Sequence, residues 1–65
     1  EKRTLIVVAD RAVVRQKAED GAAMVFEVEK NVVLEYLEPP AAGWVKVRHR
    51  DGVSGYVRAN QVWGL

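Results

Sequence analysis

Aromatic and basic residues alternate in one stretch near the C-terminus. Trp44 is followed at every second position by the cations Lys46 and Arg48, and Tyr56 lies on the far side of an Asp-Gly turn. An aromatic ring with cations beside it can stack on a ring or a base, or meet a peptide. Because alternate residues of a β-strand share a face, a hairpin would bring these side chains together. The stretch therefore predicts a binding surface.

A structural role explains the same residues. Trp44 could cover one end of the domain and pack against Gly55, where the missing side chain leaves room, since a single apolar residue at a surface needs no ligand. The basic run Arg48–Arg50 adjoins Asp51, and Glu35 is expected on the neighbouring strand, so cross-strand ion pairs on a solvated face would account for these charges. Both interpretations stay open, with the structural one slightly ahead for Trp44.

Catalytic chemistry has little to work with in this chain. It contains no Cys, one His (His49) and one Ser (Ser54), and these two residues lie across a tight turn. A nucleophile needs an oriented base and a third group, and none can be assigned here. A structural zinc site wants about four Cys or His ligands. We expect no enzyme activity, no metal site and no cofactor.

The length and the charge of the chain further limit the classes of protein to which it can belong. The chain has 65 residues and ten Lys and Arg against nine Asp and Glu, which leaves a net charge of +1 and no general attraction to nucleic acid. No apolar run approaches the roughly 20 residues that cross a bilayer, so no membrane insertion is expected. The sequence starts at Glu1, not at Met, and we interpret residues 1–65 as a single domain of a longer protein.

Short β-strands must position the aromatic and basic residues. Apolar and polar residues alternate in Met24–Glu29, Leu34–Tyr36 and Val45–Arg48, a period that is typical of a half-buried strand. Asp51-Gly52, between two such runs, is a strong hairpin signal. We count five short strands, and we expect one helical turn at Ala59–Val62 before a last short strand at Val62–Trp63. The pattern predicts an all-β fold, a small five-stranded barrel with one short helical turn near the C-terminus.

The same alternation predicts which side chains form the core. A chain this short has no disulfide to stabilise it, so the buried apolar residues must supply its stability. The predicted core residues are Val7, Ala12, Val14, Met24, Phe26, Val28, Leu34, Tyr36, Val45, Val47, Val57 and Val62.

Four motifs occur in a familiar order. Ala12–Arg15 reads Ala-Val-Val-Arg, Gly43–Val47 reads Gly-Trp-Val-Lys-Val, and the Asp51-Gly52 turn is followed by Gly55–Val57, Gly-Tyr-Val. In this order and spacing they resemble the bacterial SH3-like (SH3b) domain family, from about residue 7 to residue 62. The resemblance implies an SH3-like barrel.

Domains of that family are non-catalytic modules, and many are attached to cell-wall hydrolases or other envelope proteins. The resemblance implies a binding or targeting module of a larger bacterial envelope protein in the periplasm or at the cell surface. Its partner would be a peptidoglycan peptide or a neighbouring domain of the parent protein. The contact surface would include the loop Gln16–Ala22. The predicted ligand-binding residues are Trp44, Tyr56, Lys46, Arg48, Glu19 and Asp20.

Three other functions remain as alternatives. A structural docking domain would contact its parent protein through Trp63 and the Pro39-Pro40 loop. A groove for proline-rich peptides needs several aromatics, and Arg58 stands where such a groove has proline. Nucleic-acid binding would use the row formed by Lys46, Arg48 and Arg50, and the near-neutral charge argues against it.

Overall fold

Seven short strands and one helical turn make up the structure, a computed structural model that describes residues 3–64. The expectation of a longer parent protein depends on residue 1, which lies outside the described residues. The strands are rich in valine, whose branched side chain suits a pleated surface. The elements are β1 (Thr4–Val7), β2 (Arg11–Arg15), β3 (Met24–Glu29), β4 (Val33–Tyr36), β5 (Trp44–Arg48), β6 (Ser54–Arg58), a 3₁₀ turn (Ala59–Gln61) and β7 (Val62–Trp63).

All seven strands form one antiparallel sheet in the order β3-β2-β6-β5-β4-β1-β7. The all-β class and the helical turn before the last strand are as predicted. The prediction of five strands in a closed barrel is not confirmed. The chain bends at Val8–Asp10 and divides β1 from β2, and within residues 3–64 no hydrogen-bonded pair joins β3 to β7. The short last strand predicted at Val62–Trp63 is confirmed as β7, which pairs with β1.

One face of this sheet encloses the hydrophobic core. All seven strands contribute buried apolar residues to a single cluster, so the sheet must curl around them. The clustered residues are Leu5, Val7, Ala12, Val14, Val28, Leu34, Val45, Val47, Val57 and Val62. Of the predicted core, nine residues are in this cluster, while Phe26 and Tyr36 are partly buried against it.

The prediction that Met24 is buried is wrong, because β3 contains an irregularity. Val14 pairs with Phe26 but Arg15 pairs with Met24, so Val25 is an extra residue at this point. An extra residue reverses the alternation of a strand. Met24 therefore follows Arg15 to the outer face, where it is 58% exposed. Leu5 is buried and was missed, although it shares the Val7 face of β1.

The β5–β6 hairpin turns where Asp51-Gly52 predicts it. The His49 N–H donates to the carbonyl of Val53 (2.8 Å), and the Gly52 N–H donates to the carbonyl of His49 (2.9 Å). Every cross-strand pair of this hairpin lies at equal distances along the chain from Asp51. That register decides which side chains meet on the outer face.

A candidate ligand-binding surface on β5 and β6

The outer face of the β5–β6 hairpin carries the predicted binding residues. Trp44 pairs with Arg58, and Lys46 pairs with Tyr56, while the alternate pair Val45 and Val57 faces the core. The prediction that Trp44, Lys46 and Arg48 share a face with Tyr56 agrees with this register. Each aromatic ring thus lies directly across from a cation.

Trp44 lies beneath the guanidinium group of Arg58. The centre of that group is 4.6 Å from the centroid of the indole ring, which is close enough for a cation–π contact. Trp44 is only 7% exposed as a result of this packing, so the expectation of an exposed ring is wrong. The interpretation of Trp44 as a covering residue is correct about its burial.

Gly55 does not provide the space for Trp44, contrary to the structural interpretation. A Cβ atom at Gly55 would lie 2.6 Å from Cγ1 of Val14 and 2.7 Å from the carbonyl oxygen of Arg15. Gly55 is therefore needed where β2 approaches β6, and its cross-strand partner is the core residue Val47. It belongs to the inner face, whereas Trp44 belongs to the outer face.

Asp20 completes a three-layer arrangement above the sheet. Arg58 donates through Nε to Oδ1 of Asp20 (3.2 Å) and through Nη2 to Oδ2, so its two donors match the two oxygens of one carboxylate. The Asp20 side chain is 72% exposed and that of Arg58 is 42% exposed. Solvent screens such a pair, and its contribution to stability is about 0.2–1 kcal/mol. The pair connects the loop to the sheet and contributes little to the stability of the fold.

The loop that carries Asp20 is also held at its base. The Gln16 N–H donates to the carbonyl of Ala23 (2.9 Å), and Nη1 of Arg15 donates to the carbonyl of Ala22 (2.8 Å). Glu19, in contrast, is exposed and has no ion pair within residues 3–64. Of the two loop carboxylates that the sequence predicts as ligand contacts, Asp20 is the one that binds Arg58.

A cavity of about 330 Å³ opens between this loop and the end of β6. Its polar groups can donate and accept hydrogen bonds, and Arg15 and Arg58 give it two cations against the single carboxylate of Asp20. The chemistry suits a small polar ligand that carries a negative group. The cavity is lined by Val13, Arg15, Asp20, Trp44, Arg58, Asn60 and Gln61.

Tyr56 and Lys46 lie beside this cavity without lining it. The Nζ of Lys46 is 5.9 Å from the centroid of the Tyr56 ring, a longer cation–π contact than that of Arg58 and Trp44. Trp44 and Tyr56 were expected to share one binding surface. In the structure each ring has a cation of its own against it.

Arg48 belongs to a different part of the outer face. It donates to Oε1 of Glu35 through Nε (3.2 Å) and Nη2 (2.6 Å), which is the cross-strand ion pair that the structural interpretation expects. Arg48 and Glu35 line a wider groove of about 770 Å³. That groove and the Trp44 cavity share no lining residue.

His49 lies at the end of the same groove. Its ring meets Phe26 edge-on, with the centroids 5.6 Å apart, so the hairpin turn packs against β3. Its Nδ1 is buried without a hydrogen-bond partner, since Oδ1 of Asp51 is 3.5 Å away. The histidine is half-buried.

The sequence analysis missed Arg58 and Arg15 as site residues. Arg58 could have been found by counting, because Trp44 and Arg58 are both seven residues from Asp51. Arg15 could have been found only with the pairing of β2 and β6, where it lies opposite Tyr56.

Within residues 3–64, no group of three or more His, Cys, Asp or Glu side chains is arranged to hold a metal ion. The same part of the chain contains no helix that is long and apolar enough to cross a membrane.

The fold and the order of the motifs define a class of domain. The family model of the bacterial SH3 domain matches residues 8–64, which is most of the chain. The chain belongs to the bacterial SH3 domain family. SH3 domains are generally non-catalytic binding modules, and nothing within residues 3–64 shows catalytic activity. Searches of curated proteins and of solved structures give no match.

Proposed function

We propose that this domain is a non-catalytic module that binds a short polar peptide at the cavity between Trp44, Arg58 and the Gln16–Ala22 loop. The observation that carries the proposal is the placement of Arg58, which joins a buried aromatic ring to an exposed carboxylate at the mouth of a polar cavity. Family membership supports a binding role. Function follows from the site, since one fold serves many functions.

Cell-wall peptide is the ligand class that we propose for this cavity. Such a peptide is short, flexible and charged at its ends, so it needs cations and carboxylates on either side of a small polar cavity. Arg15 and Arg58 would meet its negative end, and the carboxylate of Asp20 would meet a positive one. Trp44 is covered, so it would support Arg58 from below and would not stack on the ligand. The module would then direct a larger bacterial envelope protein to its substrate.

The test is a two-dimensional NMR titration of the labelled domain with peptidoglycan fragments that carry their peptides. We expect shifts at the Trp44 indole, at the Arg58 Nε–H and in the Gln16–Ala22 loop, with the Trp63 indole unchanged. A proline-rich peptide and a short oligonucleotide serve as competing ligands. Absence of shifts with the cell-wall fragments would overturn the ligand class, and shifts confined to the Arg48 groove would overturn the site.

A pair of variants tests the residues. Arg58→Gln removes one positive charge from the cavity and should weaken binding at least tenfold, since a ligand carboxylate would lose its two-donor partner. Arg50→Gln makes the same change of charge at an exposed position of the hairpin turn that has no ion pair within residues 3–64. It should leave the affinity unchanged. Equal losses in the two variants would mean that net charge alone drives binding.

The proposal for nucleic acid receives no support from the basic row. Arg48 is engaged by Glu35, and Lys46 lies against Tyr56. Arg50 remains as one exposed cation at the turn. A phosphate backbone binds to several free cations in a row.

A docking role is the second candidate, and Trp63 is the observation that favours it. Trp63 is 73% exposed and pairs across the strand with Ile6, which in turn pairs with the exposed Val33. The three side chains make an apolar row over the adjacent strands β7, β1 and β4. If the row contacts a neighbouring domain, Trp63 fluorescence should shift to the blue in the longer protein. An unchanged spectrum would contradict this role.

A further inference from the structure

We infer that Asp20 occupies the position of a ligand carboxylate, so that the domain carries its own weak competitor in the Gln16–Ala22 loop. The inference rests on the proposed binding function and deepens it in two respects. It assigns a carboxylate as the ligand group that Arg58 recognises. It also makes release of Asp20 a necessary step in binding.

Arg58 is positioned to bind a carboxylate, whether that group belongs to Asp20 or to a ligand. Its guanidinium lies over the indole ring of Trp44, with Cζ 4.6 Å from the ring centroid. Its Nε and Nη2 both point to the oxygens of Asp20. A planar fork with two parallel donors recognises carboxylates in particular, and it is pre-organised here before any ligand arrives.

Asp20 is held much less firmly than Arg58. Its side chain is 72% exposed, and Arg58 is its one ion-pair partner within residues 3–64. The bonds that close the loop, from Gln16 to Ala23 and from Arg15 to Ala22, do not involve the Asp20 side chain. Rotation of this side chain would therefore free Arg58 while the base of the loop stays in place.

The surroundings indicate that the incoming group is the end of a peptide. Arg15, Asn60 and Gln61 line the cavity beside Arg58 and supply donors and acceptors for peptide groups next to the carboxylate. A volume of about 330 Å³ accommodates only a short segment. The C-terminal carboxylate of a short peptide fits this combination of size, charge and hydrogen bonding.

Removal of the competitor should tighten binding. An exposed ion pair is weak, so Asp20→Asn should increase the affinity for a carboxylate ligand about twofold to fivefold. Glu19→Gln is the matched control, because it removes one negative charge from the same loop of a chain whose net charge is +1. Long-range attraction changes equally in both variants, and only Asp20→Asn frees Arg58.

The experiment measures the Arg58 Nε–H and Trp44 indole signals by NMR during titration at constant ionic strength. The probes are sodium acetate, N-acetyl-alanyl-alanine with a free carboxylate, and the C-terminal amide of the same dipeptide. We expect the acid and acetate to act at twofold to fivefold lower concentration on Asp20→Asn than on the natural domain and on Glu19→Gln. The amide should leave both signals unchanged.

Other results would overturn the inference. Equal tightening in Asp20→Asn and Glu19→Gln would reduce the effect to net charge. Weaker or unchanged binding in Asp20→Asn would make Asp20 a ligand contact or a bystander, and a response to the amide would remove the carboxylate from the site. If acetate acts as expected and no peptide binds, the proposed peptide function fails while the inference stands. If acetate moves neither signal in Asp20→Asn, the inference fails even when cell-wall fragments bind.

Discussion

The two tryptophans of this domain stand in opposite environments on the same sheet. Trp44 begins the central strand β5 and is 7% exposed, whereas Trp63 ends the edge strand β7 and is 73% exposed. Neither belongs to the core cluster. Arg58, across the strand from Trp44, covers the first ring, and the second ring has only Ile6 across from it. The ring on the central strand thus has a long side chain over it, whereas the ring on the edge strand stays exposed.

The different exposure of the two tryptophans predicts that they contribute unequally to the free energy of unfolding. Trp44→Ala should lower the free energy of unfolding by about 3 kcal/mol, as for a buried aromatic residue, and leave Arg58 without its support. Trp63→Ala should change it by less than about 0.5 kcal/mol, as at an ordinary surface position. Urea unfolding followed by circular dichroism measures both. Similar losses would contradict the different roles assigned to the rings.

A smaller loss of stability is expected at Gly55, where β6, the strand that carries Arg58, packs against β2. Gly55→Ala should destabilise the domain by about 1–3 kcal/mol, because the new Cβ atom would meet the β2 backbone at 2.7 Å. Gly21→Ala is the control, since its Cβ atom would meet nothing within 4 Å. Thermal unfolding of the two variants gives the comparison. A neutral Gly55→Ala would mean that β2 and β6 can separate at little cost.

Arg58→Ala should cost about 1 kcal/mol, through loss of the cation–π contact and of the aliphatic stem that covers the ring. In a Trp63→Phe background the remaining fluorescence comes from Trp44, and its emission should shift to the red as the ring becomes exposed. Arg50→Ala should leave the emission unchanged. An unshifted spectrum in Arg58→Ala would show that other groups bury Trp44.

The smallest effect should come from the second cation–π pair. A double-mutant cycle of Lys46→Met and Tyr56→Leu should give a coupling free energy of about 0.5 kcal/mol or less, because the Lys46–Tyr56 contact is longer, at 5.9 Å. The corresponding cycle for Arg58 and Trp44 should give a larger value. A larger coupling free energy for Lys46 and Tyr56 than for Arg58 and Trp44 would contradict the stronger contact assigned to Trp44.

Most of the fold could be predicted because its local signals agree with one another. Period-two alternation identified the inward valines of β5 and β6, and Asp51-Gly52 identified their hairpin. The predictions that were wrong concern irregularities of the strands that the sequence pattern does not show. The extra residue at Val25 turned Met24 outward, and only the partner strand β2 reveals that shift. The strand number was wrong because the chain bends at Val8–Asp10, so that residues 4–15 contain two strands, β1 and β2.

The candidate site could be predicted in composition but not in arrangement. The sequence identified Trp44 and Asp20 separately, since one is a conspicuous aromatic residue and the other belongs to a polar loop. Their connection passes through Arg58, a long side chain whose direction depends on two partners, Trp44 and Asp20. Flexible side chains of this kind have many conformations, and strand periodicity specifies only the face from which they start.

The closure of the loop between Gln16 and Ala23 has a consequence for how this domain can diversify. Because the hydrogen bond at its base completes the β2–β3 ladder, the intervening residues form a replaceable segment. Doubling the length of a flexible loop costs only about 0.6 kcal/mol in closure entropy. An engineer could therefore exchange this segment on an unchanged sheet, supply Arg58 with a different partner or none, and select new ligand preferences.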